Sequence, residues 1–130
     1  MYLESLPPNC PYVDAKEDEK TLFRILSENV VSEKCFRSFV ALHPQRLDFK
    51  ENCKAHGLSF FESRDVATEY VIRNPALGNF VAEIELRPEH GKLMLTNKTN
   101  GHYTFWPYIT FESSKLKCSI QPIQKDVATK

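Results

Sequence analysis

The chain lacks an excess charge of either sign: 17 Lys and Arg are met by 17 Asp and Glu across 130 residues. That balance removes the large surplus of Lys and Arg that marks nucleic-acid binders and peripheral membrane proteins. Long apolar runs are missing as well. Nothing approaches the roughly 18 residues of a membrane span, and the first twenty residues, MYLESLPPNCPYVDAKEDEK, have neither a basic start nor an apolar stretch of signal-peptide length. The expectation is a cytoplasmic protein with neither nucleic acid nor membrane as partner. Metal-ligand spacing is absent too. Cys10, Cys35, Cys53 and Cys118 are scattered, with no C-x-x-C pair and no His nearby at ligand distance. Neither a metal site nor a disulfide framework is indicated, and reduced thiols are the reading, with Cys35, Cys53 and Cys118 on the apolar sides of their elements. No internal repeat or low-complexity block is visible, and the sequon Asn97-Lys98-Thr99 has no use in a cytoplasmic chain.

What is present is apolar. Hydrophobic residues make up 42% of the chain, with nine Phe, five Tyr and one Trp, enough to build the core of a single domain. Residues 1–20, with Pro7, Pro8 and Pro11 and a charged run from Asp14 to Lys20, read as an irregular arm. A globular core spans 21–122, and the polar residues 123–130 read as a flexible tail. Within the core, Thr21 to Leu26 reads as a strand with Arg24 among apolar neighbours. Ser32 is placed to cap a helix to about Leu42, with Cys35, Phe36, Phe39 and Val40 as its apolar face. Asp48 and Glu51 fit a capping box for a second helix over 49–56, ended by Gly57. Leu58-Ser59-Phe60-Phe61 reads as a buried strand, and Ser63 as the cap of a third helix running to Asn74-Pro75.

Beyond Gly78 the period changes to two. Phe80, Ala82, Ile84 and Leu86 face one way, and Val81, Glu83 and Glu85 the other. Lys92 to Thr96 alternates again, Asn100-Gly101 is a turn signal into His102 to Trp106, and Leu116, Cys118 and Ile120 mark a last strand. The fold class is α+β: about three helices in the first half and a mostly antiparallel sheet of about six strands.

Four features could carry chemistry. Arg24 sits mid-strand, where a guanidinium needs a partner and its planar fork suits phosphate or carboxylate; its plainer reading is an outward-facing arginine on a half-exposed strand. Arg37 competes for that role but falls on a predicted helix. Ser59 is a hydroxyl in an apolar strand and must bond a backbone group or a ligand. It lacks a G-x-S-x-G elbow and any base placed by sequence, so it reads as structural or ligand-positioning and not as a nucleophile. Gly101 to Tyr108 is the densest aromatic segment; His102 heads it at a sheet end, where binding groups gather, while Trp106 reads as core. Glu83 and Glu85 share a strand face, where paired carboxylates are ordinarily solvated.

Taken in order, Phe23-Arg24-Ile25, Gly57-Leu58-Ser59-Phe60-Phe61 leading through Ser63 into a helix with Ala67 and Tyr70, and Val81-Ala82-Glu83-Ile84-Glu85-Leu86 resemble the ADP-ribosyltransferase-like superfamily, which includes the RES-domain NAD-degrading toxins. The resemblance implies NAD as substrate, Arg24 as phosphate contact, Ser59 as pocket residue, and Glu83 or His102 as the late polar residue at the ribose. Arg24, Ser59 and His102 are then the candidate catalytic residues, with Phe60, Tyr103, Trp106 and Glu83 around the ligand. The arm Leu6 to Pro11, with Gly57-Leu58-Ser59 and the His102 to Trp106 segment, is also similar to small uncharacterised bacterial proteins. The competing reading is a non-catalytic accessory module of a toxin, defence or mobile-element system, docking a protein partner through Tyr103, Trp106 and Tyr108.

Overall fold

The alternation over residues 80–86 yields a strand with neighbours on both edges, with Ala82, Ile84 and Leu86 buried on one face and Glu83 and Glu85 partly exposed on the other. A computed structural model describes residues 1–123 of the chain; the flexible tail expected from the sequence lies, from 124 onward, outside the described residues. The strands are β1 (Lys20–Leu26), β2 (Leu58–Phe61), β3 (Phe80–Leu86), β4 (Gly91–Asn97), β5 (His102–Pro107) and β6 (Cys118–Pro122). They form one antiparallel sheet in the order β4-β5-β2-β1-β3-β6. On one face Leu22, Leu58, Phe60, Ile84, Leu86 and Phe105 make the main core. On the other, Phe61 and Val81 pack beneath a helix.

That helix, α2 (Arg64–Arg73), is the predicted third helix. Ser63 Oγ accepts from the Val66 amide at 3.2 Å, and Ala67 and Val71 are buried against the sheet. The other two predicted helices are not formed as such. Residues 33–42 break into a 3-10 turn (Glu33–Phe36) and a single α turn, α1 (Phe39–Leu42), with Arg37 extended between them. The break has a packing cause: Phe36 turns into the main core against Phe111 (5.2 Å), whereas Phe39 turns away to Phe49 (4.9 Å), and one continuous helix cannot present both. Ser38, not Ser32, supplies the cap, its Oγ accepting from the Ala41 amide at 3.1 Å. Over 49–56 only two short 3-10 turns appear, Leu47–Phe49 and Lys54–His56. Asp48 pairs with Arg46 at 3.0 Å instead of capping.

The arm is stapled down. Tyr2 bridges Tyr108, Lys16 bridges Leu93, and the Leu3 amide donates to the Pro107 carbonyl at 2.9 Å. The sequence reading of reduced thiols is overturned for one pair: Cys10 and Cys53 form a disulfide, with Cα atoms 5.5 Å apart. Cys118 also departs from expectation, lying exposed on the edge strand β6, while Cys35 is half-buried. Among the described residues no helix is long and apolar enough to cross a membrane.

Candidate active site

The sheet is incomplete at its centre, and the candidate site grows from that gap. β1 and β2 pair only at Phe23↔Phe61, whereas β1 pairs with β3 along its whole length. Past that single bridge the two strands part, leaving Ser59 without a strand partner on that side. Arg24 fills the opening. Its Nη1 donates to the Ser59 carbonyl at 2.7 Å and its Nε to the Cys35 carbonyl at 2.8 Å. The guanidinium lies 5.6 Å from the Phe60 ring centre and 5.7 Å from that of Phe36. Burial pulls its pKa down to about 10, so it remains a cation at neutral pH. Arg24 is therefore not the outward-facing arginine of the plainer reading.

β2 also pairs with β5, and the register sets Ser59 opposite Thr104 and Phe61 opposite His102. This brings together two residues 43 apart in sequence: His102 Nε2 lies 2.9 Å from Ser59 Oγ. The other ring nitrogen is held as well. A bulge in β4, between Leu95 and Asn97, turns Thr96 toward β5, and its Oγ1 sits 2.9 Å from His102 Nδ1. Thr96 Oγ1 also donates to the His102 carbonyl at 3.2 Å and meets Thr104 Oγ1 at 2.9 Å. Gly57 makes room for this network: a Cβ there would stand 2.2 Å from the Thr104 methyl and 3.1 Å from Trp106 Nε1.

Arg24, Ser59 and His102 all line one open groove of about 470 Å³. Phe39, Leu42 and Phe49 give it an apolar wall, and Arg37 and Lys54 add positive charge. A second cavity of about 500 Å³, lined by Leu3, Glu4, Phe36, Arg37 and Phe111, holds neither Ser59 nor His102.

The other candidates do not join this site. Phe60 and Trp106 are 0% exposed, so both belong to the core and neither can touch a ligand in the groove. Trp106 instead donates its indole N–H to the Cys53 carbonyl at 3.1 Å. Tyr103 is half-buried and packs against the main core on the opposite face of β5, under Lys20. Glu83 lies beyond β1 on β3, paired with Arg64 at 3.3 Å, and lines a separate shallow pocket. Of the two late polar residues, it is His102 that stands beside Ser59. Thr96, Thr104 and Lys54 were not singled out from the sequence. The bulge that aims Thr96 depends on strand register, which no local pattern reveals, whereas Arg37 reaches the groove because its predicted helix is broken there.

Burial and the nearby Lys54 both lower the His102 pKa below its ordinary 6.5. His90 is lowered too, chiefly by burial and further by Arg87, against Glu89 and Glu85. A folded-state imidazole with a depressed pKa binds its proton later than the unfolded chain does. Its contribution to stability is complete above about pH 6.5 and is lost as pH falls through the lower folded value. Urea midpoints measured from pH 8 to pH 5 are expected to fall on the acid side. Replacing His102 and His90 with Gln should flatten that slope, and an unchanged slope would refute the assignment.

Comparison with protein-family models, with curated proteins and with solved structures finds no match for this chain.

Proposed function

We propose that the groove binds and processes NAD or a related nucleotide, as the resemblance to ADP-ribosyltransferase-like proteins implies. One observation carries the reading: Arg24, Ser59 and His102, from three different strands, open onto the same groove. Its volume of about 470 Å³ falls within the range of small-molecule sites. In this reading Arg24 attracts the pyrophosphate, helped by Arg37 and Lys54 at the rim. Phe39 and Phe49 offer an apolar wall to the nicotinamide ring. Ser59 shapes the pocket beside it, and His102, neutral at physiological pH, is available to a ribose hydroxyl as hydrogen-bond partner and base.

The accessory-module reading has less to stand on, because Trp106, the strongest of its three anchors, is core. Cytoplasmic residence belongs to the nucleotide proposal as its setting, and the Cys10–Cys53 disulfide argues against it, since such bonds persist mainly in oxidising compartments.

The test is direct. Purified protein incubated with NAD should release nicotinamide, alone or with an acceptor, and bind NAD in calorimetry. Arg37→Ala, at an exposed position, should weaken NAD binding about tenfold without changing the circular dichroism spectrum. Absence of both binding and nicotinamide release would overturn the proposal.

A further inference from the structure

The proton positions around Thr96 can be assigned by counting donors and acceptors. A threonine hydroxyl has one hydrogen and two lone pairs. Thr96 Oγ1 has three neighbours: the His102 carbonyl, His102 Nδ1 and Thr104 Oγ1. The carbonyl can only accept, so the Thr96 hydrogen goes there. Both lone pairs then accept, one from Thr104 O–H and one from Nδ1–H. Thr104 is 1% exposed and has no other side-chain partner among the described residues, which fits its role as donor. With the ring proton on Nδ1, Nε2 presents a bare lone pair 2.9 Å from Ser59 Oγ, and the serine hydroxyl donates to it. The opposite tautomer would forfeit the bond to the carbonyl.

We infer that Ser59 is a nucleophile with His102 as its general base and Thr96 as the positioning residue that fixes the imidazole tautomer, and that the groove hydrolyses carboxylic esters of apolar acids. The serine, read from sequence as structural for want of a base, has one from across the sheet. Its side chain is exposed while its neighbours Leu58 and Phe60 are buried, so the hydroxyl is open to a substrate and its backbone is anchored. The apolar wall supplies the acyl site: Phe39 and Leu42 line the groove and are 40% and 54% exposed. Depression of the His102 pKa keeps the imidazole in its basic form at neutral pH.

In the first step Ser59 Oγ bonds to the ester carbonyl carbon as its proton passes to His102 Nε2. The oxyanion forms in the positive field of Arg24, Arg37 and Lys54. It collapses, the C–O bond to the alcohol breaks, and the alcohol leaves with the proton from Nε2. Water then gives a proton to Nε2 and its oxygen to the acyl carbon. The bond to Ser59 Oγ breaks, Ser59 recovers its proton, and the free acid departs.

The inference is independent of the nucleotide reading, because serine labelling needs no NAD and nicotinamide release needs no acyl-serine. The experiment uses the full, oxidised chain with a fluorophosphonate probe and p-nitrophenyl butyrate. Peptide mass spectrometry should place one phosphonyl group on Ser59. Ser59→Ala, a change at an exposed position, should abolish both labelling and turnover above the solvent rate, and His102→Gln should slow both by about 100-fold or more. Thr96→Val should lower kcat with little change in KM, and Thr96→Ser should restore it. The rate should fall in acid with an inflection below the ordinary imidazole value. Failure of the intact protein to label at Ser59, or equal hydrolysis by Ser59→Ala, overturns the inference.

Discussion

Reduction of the Cys10–Cys53 bond is expected to lower the folding free energy by about 4 kcal/mol. The bond closes a loop across 43 positions of sequence, and the chain-entropy model assigns roughly that value to a loop of such length. The figure is a large share of the ~5–15 kcal/mol that holds a domain of this kind together. The arm explains why the effect should be realised in full. Cys10 lies on a segment without regular structure, tied to the sheet by the Tyr2 and Lys16 bridges, and Cys53 sits between two short turns. Neither side has a long helix or strand to hold its place once the bond is cut. Urea unfolding with and without dithiothreitol, and of the Cys10→Ala, Cys53→Ala double variant, measures it. Coincident midpoints would refute the expectation. A steeper m-value for the oxidised protein would not fit either, since an uncut loop keeps the unfolded chain more compact.

The second large effect is at Trp106. Its ring is 0% exposed, packed with Ala15 and Cys53, with Tyr12 edge-on at 5.8 Å. Trp106→Ala removes that packing, leaves a cavity and takes one of two donors from the Cys53 carbonyl, which accepts both the indole N–H and the His56 amide. A loss of about 3–5 kcal/mol is expected. Trp106→Phe restores much of the volume but not the donor, and should cost about 1–3 kcal/mol. Thermal unfolding followed by far-ultraviolet circular dichroism distinguishes the three proteins. Because Cys53 belongs to the same cluster, the Trp106 and disulfide effects should not add. Strict additivity would show that the arm and the sheet end are energetically separate.

The parts of the fold legible in the sequence were those written in local code. The period-two run over 80–86, the Ser63 cap with its stripe to Val71, and Asn100-Gly101 before His102 each specify their element with neighbouring residues alone. Where two distant partners compete for one segment, local code fails. Cys35, Phe36, Phe39 and Val40 have helical spacing, yet Phe36 and Phe39 are claimed by Phe111 and Phe49 on different sides, and the helix breaks at Arg37. Residues 49–56 yield for a similar reason, with Cys53 drawn to a cysteine in the arm. Spacing cannot announce such a pairing.

The site divides along the same line. Arg24, Ser59 and His102 stood out because each is a polar residue in apolar surroundings, and that anomaly is local. Their convergence is a property of strand order, β5-β2-β1, which places residues from three parts of the chain side by side. Phe60 and Trp106 were drawn into the ligand set by aromatic density, a signal that a packed core produces equally well.

The strand order has a consequence in time as well as in space. β4 and β5 are joined by a short turn and can zip together early, but β1 must find β3 across 27–79, and β2 must find β5 across 62–101, before the central strands have neighbours. Closing such loops spends chain entropy ahead of any reward, so folding should run on the millisecond-to-second scale of non-local β topologies. Until those distant strands meet there is no β5-β2-β1 order and hence no groove. Any activity recovered on refolding should therefore appear with the slowest step and not with early collapse.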